Sequence, residues 1–528
     1  MANGTISADP ADQGWPRWLT IGVAILLVLG IGWRASRYFM QFPIWGDEAH
    51  IALNVIDRDF AQLTQPLRYV QAAPVLFLWA ERAVYQALGA SELSLRLVSF
   101  VAGLLGLLLF VRLARALLPP LPAALAVGIL AVSYYPVRHS CEVKSYGVDL
   151  FVTAALLTLT VTWLQRRERL WPLLALGLFV PLAVGVSYPS VFIAGAISLV
   201  LLPAVWRHPG WQAKSLYVFY NATMLGAFVL TFHLASAGQF ESARDNWTNL
   251  YPGCFPPAHP VELARWLVSV HTGTMMAYPA GGHSGGSTLT ALLCLIGVAY
   301  LVQRRQYAFL TLCLVPFGLT LLASTMHRYP YGGSARYEQH LAPAICLLAA
   351  LGTASVIGWL ARSPLAERRA TLGAMAVLLF LGGAGLARDV WKPHKTEGDR
   401  EVREFFQALG AEAGPDDQIV VMTTRDTVGP NLEWYLRQIG GRVQWDGQVD
   451  WDRVGSGRTQ LWTLYFRFAD PTPTELDAMQ VHAGRPLTLV RHEERLMQMG
   501  WSWSVNTRER CQLYQWRCAP PPALVRSE

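Results

Sequence analysis

The chain has 528 residues, of which 53% are hydrophobic and only 15% are Asp, Glu, Lys or Arg, with a formal charge of +7. A soluble globular chain carries about 25% charged residues, and here the apolar residues fall into long runs that stop before the last quarter. This excludes an ordinary soluble enzyme, a disordered chain and a disulfide scaffold. The basic residues sit in short turns between apolar runs, not on a lysine-rich face, which argues against a nucleic-acid partner.

A spanning helix needs about 20 mainly apolar residues. Eleven stretches read as spans: 17–37, 95–117, 121–137, 145–165, 170–187, 190–206, 215–236, 287–303, 307–325, 337–361 and 369–388. With a cytoplasmic N-terminus, the inside turns carry Arg112 and Arg115, then Arg166, Arg167 and Arg169, then Arg207 and Lys214, then Arg304 and Arg305, then Arg362, Arg368 and Arg369. Each is basic, as cytoplasmic loops are. Arg34 and Arg37, on the outer side of the first helix, break the rule. The first run has a poorly charged start and no small-residue cleavage site, so it reads as an uncleaved anchor.

Three segments fall outside: residues 38–94, 237–286 and everything after 389. Residues 73–88 predict a helix lying on the membrane surface, with Leu76, Trp79, Ala83 and Gln86 aligned. In the tail, helices are expected at Glu401–Leu409, Asn431–Ile439 and Thr474–Val481, and strands at Gln418–Thr424 and Thr459–Phe468. Alternating strands and helices predict a small α/β domain, without the glycine-rich motifs of nucleotide sites. The expected organisation is a polytopic α-helical membrane domain over 1–390, with outer loops at 38–94 and 237–286, and an extracytoplasmic α/β domain over 391–528. Of the seven cysteines, Cys294, Cys313 and Cys346 lie in apolar runs. Cys141 with Cys254, and Cys511 with Cys518, are candidate disulfide pairs on an oxidising side.

Three outer clusters carry chemical potential. Trp45-Gly46-Asp47-Glu48-Ala49-His50 places two adjacent carboxylates just beyond the first helix; acids in a helix's first turn also suit the macrodipole with no further role. Arg138-His139-Ser140-Cys141-Glu142-Val143-Lys144-Ser145-Tyr146 concentrates cations and one carboxylate in an outer turn. That suits either an ion-pair network or an anionic lipid headgroup. Ser334 to His340 includes Arg336 and Tyr337 at the outer start of the tenth span, either a phosphate contact or a snorkelling Arg beside a belt Tyr. His259, His271 and His283 are too widely spaced for a local metal motif.

These residues together resemble the motifs of GT-C membrane glycosyltransferases. Phe42 to Ala49 (FPIWGDEA) resembles their acidic first-loop motif and Ser94 to Val98 (SLRLV) its continuation into the second helix. Ser133-Tyr134-Tyr135 with Glu142 to Asp149 resembles the second-loop motif, and Arg336-Tyr337 through Pro343 the late Arg-Tyr-to-Pro signature. The likeness is to the family-39-like branch, which includes protein O-mannosyltransferases, the lipid A aminoarabinose transferase and rhizobial lipopolysaccharide galacturonosyltransferases. It covers roughly residues 17–390.

The resemblance implies an inverting glycosyltransferase of the inner (plasma) membrane, with its active site on the periplasmic face. A polyprenyl-phosphate-sugar would be the donor and an envelope glycan, glycolipid or lipopolysaccharide the acceptor. Asp47 would be the general base with Glu48 beside it, and Arg138, Lys144 and Arg336 would neutralise the departing phosphate, with Glu142, Tyr146 and Tyr337 also binding substrate. No cofactor is required and a divalent metal is optional. A lipid transporter or flippase, a non-catalytic envelope scaffold and a protein O-mannosyltransferase are the alternatives.

Overall fold

The computed structural model describes residues 14–236, 238–239, 252–283, 285–392, 397–423, 428–440, 442–455, 459–466, 473–483, 486–498 and 508–519. The chain forms two compact units, Met1–Gln41 with Asn54–Pro393, and Phe42–Leu53 with His394–Glu528.

The helices of the first 392 residues are α1 (Arg17–Phe39), α2 (Gly46–Asp57), α3 (Val75–Leu88), α4 (Glu92–Leu117), α5 (Pro120–Ala131), α6 (Tyr134–His139), α7 (Tyr146–Gln165), α8 (Trp171–Val186), α9 (Ser190–Trp206), α10 (Trp211–Thr231), α11 (Pro260–Thr272), α12 (Thr288–Gln303), α13 (Tyr307–Thr325), α14 (Ala342–Leu360) and α15 (Pro364–Trp391). Each apolar stretch of the sequence overlaps a helix, and 121–137 overlaps two, α5 and α6. Among the described residues, seven helices are long and apolar enough to cross a membrane, at α1, α4, α7, α10, α13, α14 and α15, while α5, α8, α9 and α12 are apolar but shorter. The protein is an integral membrane protein.

Local chemistry sets the helix starts. Ser91 and Ser94 form a capping box at α4, each side chain bonded to the other's backbone N–H at 3.0 Å. Ser363 caps α15, with Pro364 in its first turn. Small residues set the crossings: Gly297 on α12 and Gly352 on α14 meet the backbone of Leu348 and Leu293, leaving no room for a Cβ.

The two arginines that broke the loop-charge rule have protein partners. Arg34 is fully buried and donates to the carbonyls of Gly30 at 3.0 Å and Ala131 at 2.9 Å. Ala131 ends α5, so Arg34 satisfies an orphan carbonyl at a helix terminus. Arg37 pairs with Asp389 of α15 at 2.7 Å, and Trp33 Nε1 donates to the same carboxylate at 2.6 Å. These charges tie helices together instead of facing solvent.

α3 forms where a helix was expected and buries Phe77, Leu78 and Glu81, leaving Trp79, Ala83 and Gln86 on its exposed side. It packs on α4 and α8, and those contacts choose the inward face. Glu81 is fully buried, and burial pushes its carboxyl well above the usual range. The cysteine expectation needs correction. All seven cysteines are free and buried. Cys511 and Cys518 lie on one extended strand, roughly 20 Å apart at about 3.3 Å per residue, far beyond disulfide reach. Cys141 Sγ instead donates to Arg34 O at 3.4 Å, and Cys254 lies against Gly333.

The second unit holds a five-stranded sheet of order β2-β1-β3-β5-β4, with β1 (Gln418–Val421), β2 (Val443–Gln444), β3 (Gln460–Phe466), β4 (Leu487–Gln498) and β5 (Arg508–Cys518). β1 runs parallel to β2 and β3, and β3, β5 and β4 pair antiparallel. Helices Glu397–Glu412, Pro430–Gln438 and Pro473–Ala483 accompany it. Val420, Leu461, Tyr465, Tyr514 and Trp516 belong to its core. Asp417 joins its parts, accepting from Gly414 N at 2.9 Å, Gln460 N at 2.9 Å and Trp462 Nε1 at 3.1 Å. The sequence expectation missed the antiparallel pair β4 and β5 because β4 (LTLVRHEERLMQ) carries charges through its middle and lacks a clean alternation.

Candidate active site

In the first unit, the chain leaves α5, makes the short helix α6, turns through residues 140–145 and enters α7. Arg138 and His139 precede Glu142 by four and three positions, spacings that meet on a helical turn. Arg138 Nε reaches Glu142 Oε1 at 2.8 Å, and His139 Nδ1 reaches Glu142 Oε2 at 2.8 Å. Burial opposes the charge of Arg138, but the Glu142 carboxylate outweighs it and holds the guanidinium above its ordinary value. Burial, followed by Glu142 pulling the other way and the charges of Arg138 and Arg336, leaves His139 below its usual range. Burial thus disfavours the charged ring, and the Nδ1 contact with Glu142 suits the tautomer that carries its hydrogen there. Tyr135 stacks on its ring at 5.9 Å and Tyr146 meets it edge-on at 5.2 Å.

Lys144 lies in the same turn and is buried. Its carbonyl accepts from Ser99 Oγ, and its Nζ donates to Gln71 Oε1 at 2.9 Å. On the loop before α14, Arg336 lies 4.7 Å over the Tyr337 ring and donates to the hydroxyl at 2.7 Å. Tyr329 donates to Tyr337 O at 2.9 Å. Its hydroxyl is raised by burial first, then by charges including those of Glu338, Tyr146 and Tyr337. Glu338 is fully buried, accepts from Gly332 N at 2.8 Å, and is pushed by burial to about 8.

The first unit thus brings Arg138, Glu142 and Tyr146 around His139, with Arg336 near enough for its charge to act on that ring and Tyr337 joined through Tyr329. Lys144 shares the turn but reaches toward Gln71. Asp47 and Glu48 belong to the second unit, in the first turn of α2, 6% and 1% exposed. Nearby in that unit, Ile44 N donates to Tyr435 Oη at 2.8 Å. His271 bonds Tyr331 Oη at 2.9 Å and Leu267 O at 2.8 Å, a packing arrangement. Among the described residues no cluster of three His, Cys, Asp or Glu is placed to hold a metal ion.

The sequence offered no role for Gln71, Tyr329 or Glu338. Glu338 was visible only as part of a motif, and Gln71 lies in no motif or periodic pattern.

Residues 72–234 match the family of dolichyl-phosphate-mannose-protein mannosyltransferases. The fold is similar to the crystal structure of ArnT from Cupriavidus metallidurans bound to undecaprenyl phosphate, at 15% identity and TM-score 0.51, covering 94% of this chain and 98% of that one. The chain has an ArnT-like fold. Other similar structures are apo ArnT from the same organism, at 15% identity and TM-score 0.49 over 94% of this chain and 97% of that one, and apo oligosaccharyltransferase from Archaeoglobus fulgidus, at 11% identity and TM-score 0.46 over 91% and 69%. No curated protein matches the sequence significantly. The residues matched to the mannosyltransferase family include the Arg138–Tyr146 turn, while Gln71 and Arg336 lie outside the matched segment.

Proposed function

We propose that this enzyme transfers a sugar, with inversion, from a polyprenyl-phosphate-sugar to an envelope glycan or glycolipid on the non-cytoplasmic membrane face. The supporting observation is the cationic turn of half-buried Arg138 and buried Lys144, at the mouth of a spanning helix within the matched segment. Cations are retained at a membrane boundary when an anion compensates them, and the structurally similar ArnT was crystallised with undecaprenyl phosphate.

In this reading the acceptor hydroxyl oxygen attacks the anomeric carbon while Asp47 takes its proton. The bond from the anomeric carbon to the phosphate oxygen breaks, and the lipid phosphate leaves as an anion stabilised by Arg138, Lys144 and Arg336. A stable leaving anion needs no general acid, so one carboxylate suffices where glycosidases use two. Glu142 holds Arg138 in place, and Glu48, Tyr146 and Tyr337 line the substrates.

The test is transfer from a radiolabelled polyprenyl-phosphate-sugar in proteoliposomes. Asp47→Asn should lower kcat by about 10²–10⁴ with donor KM little changed; full activity removes Asp47 as base. Lys144→Ala should raise donor KM, and an unchanged value removes Lys144 from the phosphate. The matched family's description favours a protein acceptor as the second reading. Mass spectrometry of glycans and proteins from a deletion strain separates the two.

A further inference from the structure

We infer that Gln71 is a positioning residue for Lys144, and that residues 68–73 are held in an unfavourable backbone conformation to present it. This rests on the proposed reaction only for its kinetic consequence.

The contact is specific. Lys144 Nζ donates to Gln71 Oε1 at 2.9 Å, while Gln71 Nε2 donates to Tyr69 O at 3.2 Å. An ammonium only donates and a carbonyl only accepts, so the two neighbours together fix which way the amide faces.

The backbone that delivers Gln71 is unusual. Tyr69 and Val70 both adopt the left-handed region, with φ of 63° and 54°, which a β-branched residue very rarely occupies. Strain of this kind persists only where surrounding structure enforces it, and it gathers at functional sites. The enforcing contacts lie at both ends of the segment. Upstream, Asn54 brackets Arg68, donating to its carbonyl at 3.2 Å and accepting from its N–H at 3.0 Å, while Asp57 pairs with the guanidinium at 3.3 Å. Downstream, Ala73 N donates to Gln239 Oε1 at 3.1 Å, and the Tyr188 hydroxyl lies 2.9 Å from Ala73 O. This clamped turn presents the Gln71 amide oxygen to Lys144.

The residue type fits the task. Lysine carries its charge on a flexible stem and needs an anchor to hold one geometry. Gln71 offers it a neutral amide oxygen at 2.9 Å, a contact that adds no charge of its own.

The experiment uses the full chain in nanodiscs with Gln71→Ala, Gln71→Glu, Lys144→Met and the double variant Gln71→Ala/Lys144→Met. The first measurement is the rate of reductive methylation of Lys144 by formaldehyde and cyanoborohydride, followed by mass spectrometry, which needs no sugar donor. Without the Gln71 carbonyl in Gln71→Ala, Lys144 should be methylated about fivefold faster, and in the isosteric Gln71→Glu more slowly than wild type. An unchanged rate in both overturns the inference. The second measurement is sugar transfer from a labelled polyprenyl-phosphate-sugar. Gln71→Ala should raise donor KM about tenfold with kcat within a factor of about three, Gln71→Glu should be worse, and the double variant no worse than Lys144→Met alone. An equal further loss in the double variant shows that Gln71 acts elsewhere and overturns the inference. Wild-type protein that transfers nothing sinks the reaction reading, and the methylation rates then decide Gln71 on their own.

Discussion

Replacing Glu338 by Gln turns a buried acid into a group that cannot ionise while keeping an oxygen for the Gly332 N–H. Glu338 is fully buried, accepts that N–H at 2.8 Å, and is raised by burial from 4.5 to about 8. The folded protein therefore keeps a proton that the unfolded chain releases near the ordinary carboxylate value. The stability tied to that proton is complete below the unfolded value, declines as pH rises, and is gone once pH passes the folded value. At about 1.4 kcal/mol per pH step, the gap corresponds to a ceiling of roughly 5 kcal/mol, less whatever relaxation of the loop recovers. The assay is the thermal unfolding midpoint of purified protein in detergent, wild type against Glu338→Gln, at about pH 5, 6.5 and 8. The difference between the two should move steadily in favour of Gln as pH rises. Parallel curves with a constant offset would show that Glu338 does not hold a proton in the folded protein and would refute the reasoning.

Glu142→Gln removes the counter-charge of Arg138, whose side chain is 21% exposed. It should lower stability by about 2–4 kcal/mol, somewhat less than for a fully buried pair, and thermal unfolding with Arg138→Met added should show less than additive loss. Gly332→Ala should destabilise by about 1–3 kcal/mol, because φ is 68° and the new Cβ would lie 2.5 Å from Val270; a wild-type unfolding midpoint would exclude that loop geometry. Cys254, raised to about 12 by burial and then by Glu338, should react with a thiol reagent only after denaturation in SDS. Intact mass should show no loss of hydrogens to a disulfide, since all seven thiols are free.

The apolar runs determined the membrane helices, because a helix in lipid satisfies its own backbone and needs only length and composition. The Arg138–Glu142 pairing was legible too, since it is local and follows from helical spacing. What the sequence left undecided comes from residues far apart in the chain. No pattern in the sequence joins Gln71 to Lys144, Arg34 to the end of α5, or Glu338 to the Gly332 turn. Nor could helical periodicity choose the buried face of α3, because Leu76 and Leu78 are equally apolar and packing on α4 and α8 decides between them. The cysteine pairs failed for a related reason: sequence separation within β5 becomes distance only once the strand is extended. Local spacing and solvent preference act before folding is complete, whereas buried charge finds its partner only when the tertiary structure has excluded water and left no other.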